Sequence, residues 1–249
     1  MGTRALDDDR WFVVDDEWEL QRSHARALLT RRRADVVGGS ESTAAAALDS
    51  EITAWLRARD LDASAVEDAD PLVVARSRVA DDLCLLLPSD DAWTLAAGAV
   101  CFPSLWRLRE KIDRPLSEVH DPVPGYAGGL ASRVDGFLGR LSAGRAVWRR
   151  NWSIHADDAL FVPDHVRHGA LPPPEARWLR SERQTLRRLC DVDAVAFTIR
   201  TQQVPIATLA SRPEACASLA AAVKAWSPAQ RAYKGDAVDD ALLHWLDAV

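Results

Sequence analysis

The feature that most restricts this chain is a pair of neighbouring apolar stretches, each too short for a helix, joined by turn chemistry. Leu83-Cys84-Leu85-Leu86-Leu87 is wholly apolar and stops at Pro88-Ser89-Asp90-Asp91, after which residues 94–102 run back as a second apolar stretch. Short runs bounded by Pro, Ser and Asp read as strands, and so tight a connection makes them an antiparallel hairpin. Two later stretches, residues 147–154 and 194–201, alternate with the two-residue period of a strand. In the first, Trp148, Arg150, Trp152 and Ile154 share one face while Arg149, Asn151 and Ser153 share the other. In the second, Val195, Phe197 and Ile199 lie together.

Helical patterns fill most of the remainder. Residues 41–56 place Leu48, Ile52, Trp55 and Leu56 at helical spacing, and residues 133–141 do the same with Val134, Phe137, Leu138 and Leu141. A helix is expected over 103–111 with Ser104 as its cap, and others over 175–189, 206–226 and 238–249, with a turn at Tyr233-Lys234-Gly235. Residues 113–126 hold Pro115, Pro122 and Pro124, so a fixed and mostly extended segment is expected there. Residues 61–70 and 163–174 read as loops. Strands, then helices and fixed loops, then strands again is the order of an α+β fold with an antiparallel sheet. The expected organisation is an N-terminal helical extension (1–70) packed on a core (71–204), followed by a C-terminal helical extension (205–249), all within one integrated domain.

Charge and motifs remove several function classes. The net charge is −6 and Arg31–Arg33 is too short a basic run for nucleic acid, so no nucleic-acid partner is expected. The longest apolar run, residues 95–102, is stopped by Pro103 and cannot span a bilayer. The four cysteines stand far apart without a CxxC pair, which argues against a zinc ribbon or an iron–sulfur cluster held by this chain. No apolar signal segment opens the sequence, and a reduced, cytoplasmic protein is expected. GxGxxG, Walker, HExxH and GxSxG patterns are all missing. Ten tryptophans against two tyrosines could wall a flat cofactor or simply fill a core.

Three groups of residues could carry chemistry. On a helix over 175–189, Glu182 falls in the apolar stripe formed by Leu179, Leu186 and Leu189. A carboxylate there either belongs to a functional pocket or forms a buried ion pair, with Arg149 and Arg183 as candidate cations. His120 lies between Pro115 and Pro122-Val123-Pro124 on a stiff backbone. It suits an axial iron ligand, which must offer one fixed nitrogen, and equally a histidine that bonds a nearby carbonyl. His155 is a secondary ligand candidate. His165 and His168 are read as solvated loop residues, and His24 and His244 as surface residues. Arg149, Asn151 and Ser153 present donors that could meet bound dioxygen or a cofactor carboxylate, or could be the wet side of an edge strand.

Several ordered strings are more specific than these hints. They are Asp81-Asp82-Leu83-Cys84-Leu85, Gly98-Ala99-Val100-Cys101-Phe102-Pro103-Ser104-Leu105-Trp106 and Glu118-Val119-His120-Asp121-Pro122-Val123-Pro124-Gly125-Tyr126. Arg149-Arg150-Asn151-Trp152-Ser153-Ile154, Leu179-Arg180-Ser181-Glu182-Arg183-Gln184-Thr185-Leu186 and Phe197-Thr198-Ile199-Arg200-Thr201 follow in the same order. Across residues 71–201 this set resembles the haem-dependent oxidative N-demethylase alpha-subunit family. The resemblance implies a PAS-like antiparallel sheet with flanking helices that binds haem b. It also implies a monooxygenase that oxidises a small N-methyl or related amine with dioxygen and releases formaldehyde. Electrons would come from a separate flavin and iron–sulfur reductase. His120 would be the axial ligand, with Asn151, Trp152 and Arg183 beside the cofactor. Arg149 would meet oxygen or a haem carboxylate, and Glu182 the cationic amine. A haem PAS module that senses gas or redox state without turnover, and a haem-free scaffold subunit, are the alternatives.

Overall fold

The computed structural model describes residues 2–40, 42–90, 92–126, 129–165 and 170–249. His168, Glu41 and Asp91, on which expectations were placed above, lie outside them.

An antiparallel sheet forms the centre of an α+β fold. The N-terminal part supplies β1 (Arg4–Leu6), α1 (Trp18–Arg31), α2 (Arg33–Val36), β2 (Val37–Gly39), α3 (Ser42–Arg57) and α4 (Pro71–Arg78). The hairpin follows as β3 (Asp82–Ser89) and β4 (Ala92–Ala99), then β5 (Arg114–Pro115), α5 (Leu116–Val119) and α6 (Leu130–Arg140). Three long strands come next, β6 (Ala146–His155), β7 (Trp178–Arg188) and β8 (Val195–Pro205). The chain ends in α7 (Pro213–Lys224), α8 (Pro228–Lys234) and α9 (Asp240–Ala248).

Among the described residues the sheet order is β1-β6-β7-β8-β3-β4-β2, with β5 added on β4. Its five central strands, numbered among themselves along the chain, lie in the order 2-1-5-4-3, a PAS-like arrangement. The hairpin occupies one half and the three later strands the other, and β8 joins them by pairing with β3. The N-terminal extension is more than a helical cover, because β1 extends β6 and β2 extends β4.

Each face has its own core. On one, Trp11, Phe12, Trp18, Leu48, Ile52 and Leu72 from the N-terminal segment and helices bury Leu83, Leu85, Ala97 and Ala196. On the other, Leu116 and Leu138 from α5 and α6 cover Cys84, Leu86, Leu95 and Val195, with Leu186 and Phe197 packed against them. Gly98 matters to this second core. A Cβ there would stand 2.7 Å from a Leu108 methyl, so glycine gives that side chain its close seat on β4.

Several expectations are corrected. Residues 178–188 form a central strand rather than a helix, paired along its length with β6 and β8. Good helix formers are outweighed there by two complete ladders of backbone hydrogen bonds. Residues 103–111 hold a single 3₁₀ turn, Leu108–Glu110, since Ser104 instead bridges Val162 and Leu105 takes a left-handed φ of 62°. The segment over 113–126 is less extended than its prolines suggested, because α5 begins directly after Pro115. The stretch 206–226 is broken at Pro213 into a 3₁₀ turn and α7, and Tyr233 and Lys234 close α8 instead of forming a free turn.

Candidate functional site

The two-residue period fixes which side chains meet. Opposed residues of antiparallel strands point to the same face. Asn151 on β6 stands opposite Glu182 on β7, which stands opposite Thr201 on β8, and Arg149 stands opposite Gln184. Ser153 and His155 continue the line on β6, opposite Arg180 and Trp178. This polar strip shares its face with Leu186 and Phe197, the residues that α5 and α6 cover. His120, one residue past α5, therefore sits over the same face.

Glu182 is buried, at 8% exposure, with a partner on each carboxylate oxygen. Its Oε1 lies 3.4 Å from Arg180 Nε. Its Oε2 accepts from Gln184 Nε2 at 3.1 Å and, at a longer 3.4 Å, from Asn151 Nδ2. Asn151 is itself held from the far side. Lys234 Nζ donates to its Oδ1 at 2.7 Å and to the Trp152 carbonyl at 3.1 Å. β1 covers only residues 146–148 of β6, so α8 brings Lys234 to an otherwise open strand edge. The lysine's pKa is lowered by burial, with Glu182 opposing and Arg149 adding to the shift.

His120 is half-buried. Its Nδ1 lies 2.8 Å from the Leu116 carbonyl, which can only accept, so the hydrogen is on Nδ1 and Nε2 keeps its lone pair. Tyr126 stacks on the ring, centroids 4.4 Å apart and planes at 10°. Burial lowers the imidazole's pKa, the Leu116 bond opposes this, and the charges of Arg149 and Lys111 lower it further. The ring is thus neutral, oriented, and without a partner on Nε2 among the described residues. Tyr126 keeps a buried hydroxyl that has no hydrogen-bond partner either. Arg149 is exposed, makes no hydrogen bond among the described residues, and faces the charge of Glu182.

The structure brings His120, Arg149, Asn151 and Glu182 to one face and leaves two candidates on the other. Arg183 donates to the Trp11 carbonyl at 2.9 Å and the Arg10 carbonyl at 2.6 Å, fastening the N-terminal segment to the back of β7. Trp152 also points to the back, where it stacks on Trp226 at 5.2 Å. The cation that meets Glu182 directly is Arg180, not Arg183. Sequence reasoning missed Arg180 because a helix puts partners three or four residues apart, whereas a strand puts them two apart. Lys234 gave no local signal at all, since it arrives from 83 residues away.

The other described histidines have identifiable places. His155 is buried, and its Nε2 lies 2.9 Å from Ser153 Oγ and 3.3 Å from Ser104 Oγ. Burial and then Arg180 push its pKa down to about 4. His165 pairs with Asp236 at 2.6 Å, and His24 and His244 are exposed. Among the described residues there is no group of three or more His, Cys, Asp or Glu that could hold a bare metal ion. Among the described residues no helix is long and apolar enough to cross a membrane. A cavity of about 280 Å³ lies elsewhere, lined by Arg32, Trp106, Arg107 and Phe161 among others, and includes none of the candidate residues.

A match with a known protein family spans most of the chain. Residues 46–243 fit the family model described as haem-dependent oxidative N-demethylase, alpha subunit-like.

Proposed function

The chain belongs to the haem-dependent oxidative N-demethylase alpha-subunit-like family, and from that membership we propose that it is a haem-dependent monooxygenase acting on a small N-methyl or related amine. The overall change would take the amine, dioxygen, two electrons and two protons to the demethylated amine, formaldehyde and water. A separate flavin and iron–sulfur reductase would deliver the electrons.

The observation that supports this reading best is the state of His120. A haem asks the chain for one fixed, neutral nitrogen rather than a cluster of ligands. His120 offers Nε2 with its lone pair free, while Nδ1 is committed to the Leu116 carbonyl. That outer hydrogen bond is the usual means of fixing the tautomer and ring direction of a ligating histidine. The Tyr126 stack adds a wall, and its buried hydroxyl, without a hydrogen-bond partner among the described residues, adds a polar group beside the ring. The donor chemistry fits a haem held by His120, which would supply dioxygen activation and the transfer of electrons.

The chain's own residues would bind and orient. Arg149, exposed and without a hydrogen bond among the described residues, can receive an anionic oxygen, whether of a haem carboxylate or of the oxygen ligand. Glu182 accepts hydrogen bonds from the amine nitrogen and so holds the N-methyl group at a fixed place. Asn151 and Gln184 keep that carboxylate in position. Arg183 and Trp152 serve the architecture behind the sheet.

The deciding experiment is the visible spectrum of the purified protein after haem reconstitution. A Soret band that is lost in His120→Ala, with formaldehyde formed from dimethylamine under a reductant system, is the expected result. A protein with no Soret band overturns the haem reading and favours a scaffold. A stable oxygen adduct that never consumes amine favours a sensor.

A further inference from the structure

Glu182 sits in a surplus of positive charge. Arg180 lies 3.4 Å away on its own strand. Arg149 from β6 and Lys234 from α8 both act on it. Among the described residues, the other titratable groups facing the cluster are uncharged: His120 and Tyr126 over the sheet, His155 beside Arg180, and Tyr233 from α8. Asp82, which also acts on Arg180, is occupied by Arg76 at 2.9 Å, so that pair adds nothing net. Three cations therefore surround one carboxylate. Even with two of them taken by haem carboxylates, Arg180 still neutralises Glu182, and no net negative charge remains to hold an ammonium ion.

We propose, building on the amine-oxidising reading above, that the site takes its amine as the neutral free base, and that Lys234 reinforces this preference. An ammonium would bring a further cation into a cluster that already holds three. A free base brings no charge. Its N–H can donate to a remaining lone pair of Glu182, and its nitrogen keeps the electron pair that oxidation draws on. The proton it sheds goes to solvent before binding, so amine uptake releases one proton. Lys234 contributes one of these cations, through a side chain tied to Asn151 Oδ1 at 2.7 Å, and its removal brings the cluster closer to one that tolerates an ammonium.

The test uses the haem-loaded full chain with dimethylamine. A dialkylammonium has a pKa close to that of lysine, about 10.4, and is almost wholly protonated at about pH 7.5. Calorimetry in two buffers of different ionisation heat should then show one proton released per amine bound. A spectral titration should show apparent affinity rising roughly tenfold per pH unit between about pH 7 and pH 9. N-methyl-2,2,2-trifluoroethylamine, a much weaker base that is already neutral there, should bind without proton release and at least about a hundredfold more tightly at about pH 7.5. Lys234→Met, and Lys234→Gln as a variant that keeps a donor near Asn151, should both reduce the proton release and flatten the pH slope, while Lys234→Arg retains them.

No proton release together with a flat affinity in the wild-type protein overturns the free-base proposal and leaves the enzyme reading standing. Unchanged proton release in haem-loaded Lys234→Gln removes Lys234 from it. A protein with a Soret band that responds to neither amine overturns the amine reading and this proposal together, whereas a missing Soret band identifies the haem assignment as the failure.

Discussion

Asp81 shows most clearly how single residues set the pH response of this protein. It is fully buried, and neither carboxylate oxygen has a hydrogen-bond partner among the described residues. Burial pushes its pKa up to about 6, outweighing Arg200, Arg183 and Arg76 around it. The folded state therefore holds this proton more tightly than the unfolded chain, whose aspartates titrate near 3.9. Stability from Asp81 is present below about pH 4 and is lost as pH rises through about 6. Asp81→Asn, which stays neutral, should be more stable than wild type at pH 7 by up to roughly 3 kcal/mol, with the gap closing near pH 4. Urea denaturation at the two pH values checks this, and a gap of equal size at both would contradict it. His155 works in the opposite sense. With its pKa down to about 4 in the fold, its stabilising contribution is present above the unfolded value near 6.5 and falls away as pH drops toward 4. The two residues offset one another between pH 4 and 6, so Asp81→Asn should expose a steeper loss of stability on acidification. At the functional site the same scale of argument makes His120→Ala a loss of the Soret band rather than a loss of fold, because the ring is half-buried and bonded to the chain only through Leu116.

Among the elements, the short edge strand β2 offers the sharpest test of the sheet. Gly39 has φ of 83°, and an added Cβ would stand 2.1 Å from the Ala96 carbonyl oxygen, an atom of the backbone that cannot swing aside. Gly39→Ala should detach β2 from β4 and cost about 2–4 kcal/mol, read as a lower melting temperature. How far such elements can be read from sequence depends on where their hydrogen bonds go. The β3–β4 hairpin, the alternation of β6 and the start of β8 were legible because their apolar pattern matches the two-residue period of one or both buried faces. β7 was not. It buries Arg180, Arg183 and Arg187, residues that carry no strand signal and are held by partners remote in sequence. Arg187 meets Glu51 at 2.9 Å, and Thr185 bonds Thr198 across the sheet at 2.7 Å. Glu182 was thus found as a buried carboxylate while its surroundings were misassigned. The polar face of Arg149, Asn151 and Ser153 was legible from alternation alone. Its junction with His120 was not, since nothing in local spacing says that the loop after α5 returns over β6.

At the scale of the whole molecule, the C-terminal helices link stability to the site. α7 and α9 share a core with Ile154 at the end of β6. Trp226, between α7 and α8, stacks on Trp152 from behind the sheet at 5.2 Å. α8 then turns around the open edge of β6 and delivers Lys234 to Asn151 on the site face. One segment therefore both covers the back of the strand and completes the polar cluster in front of it. If that docking is what places Lys234, loosening it from the far side should have the same effect on the site as removing the lysine's charge. Trp226→Ala deletes the stack without touching Asn151, Glu182 or His120, and for a half-buried indole the cost should be about 2–3 kcal/mol. Hydrogen exchange should then quicken over residues 213–248 while β3 and β8, paired at the centre of the sheet, keep their protection. In the same variant, loaded with haem, dimethylamine binding should release less than one proton and lose part of its pH slope, as in Lys234→Gln. Loosened C-terminal helices with unchanged proton release would show instead that the lysine's place is fixed by α8 alone, independently of the tryptophan stack behind it.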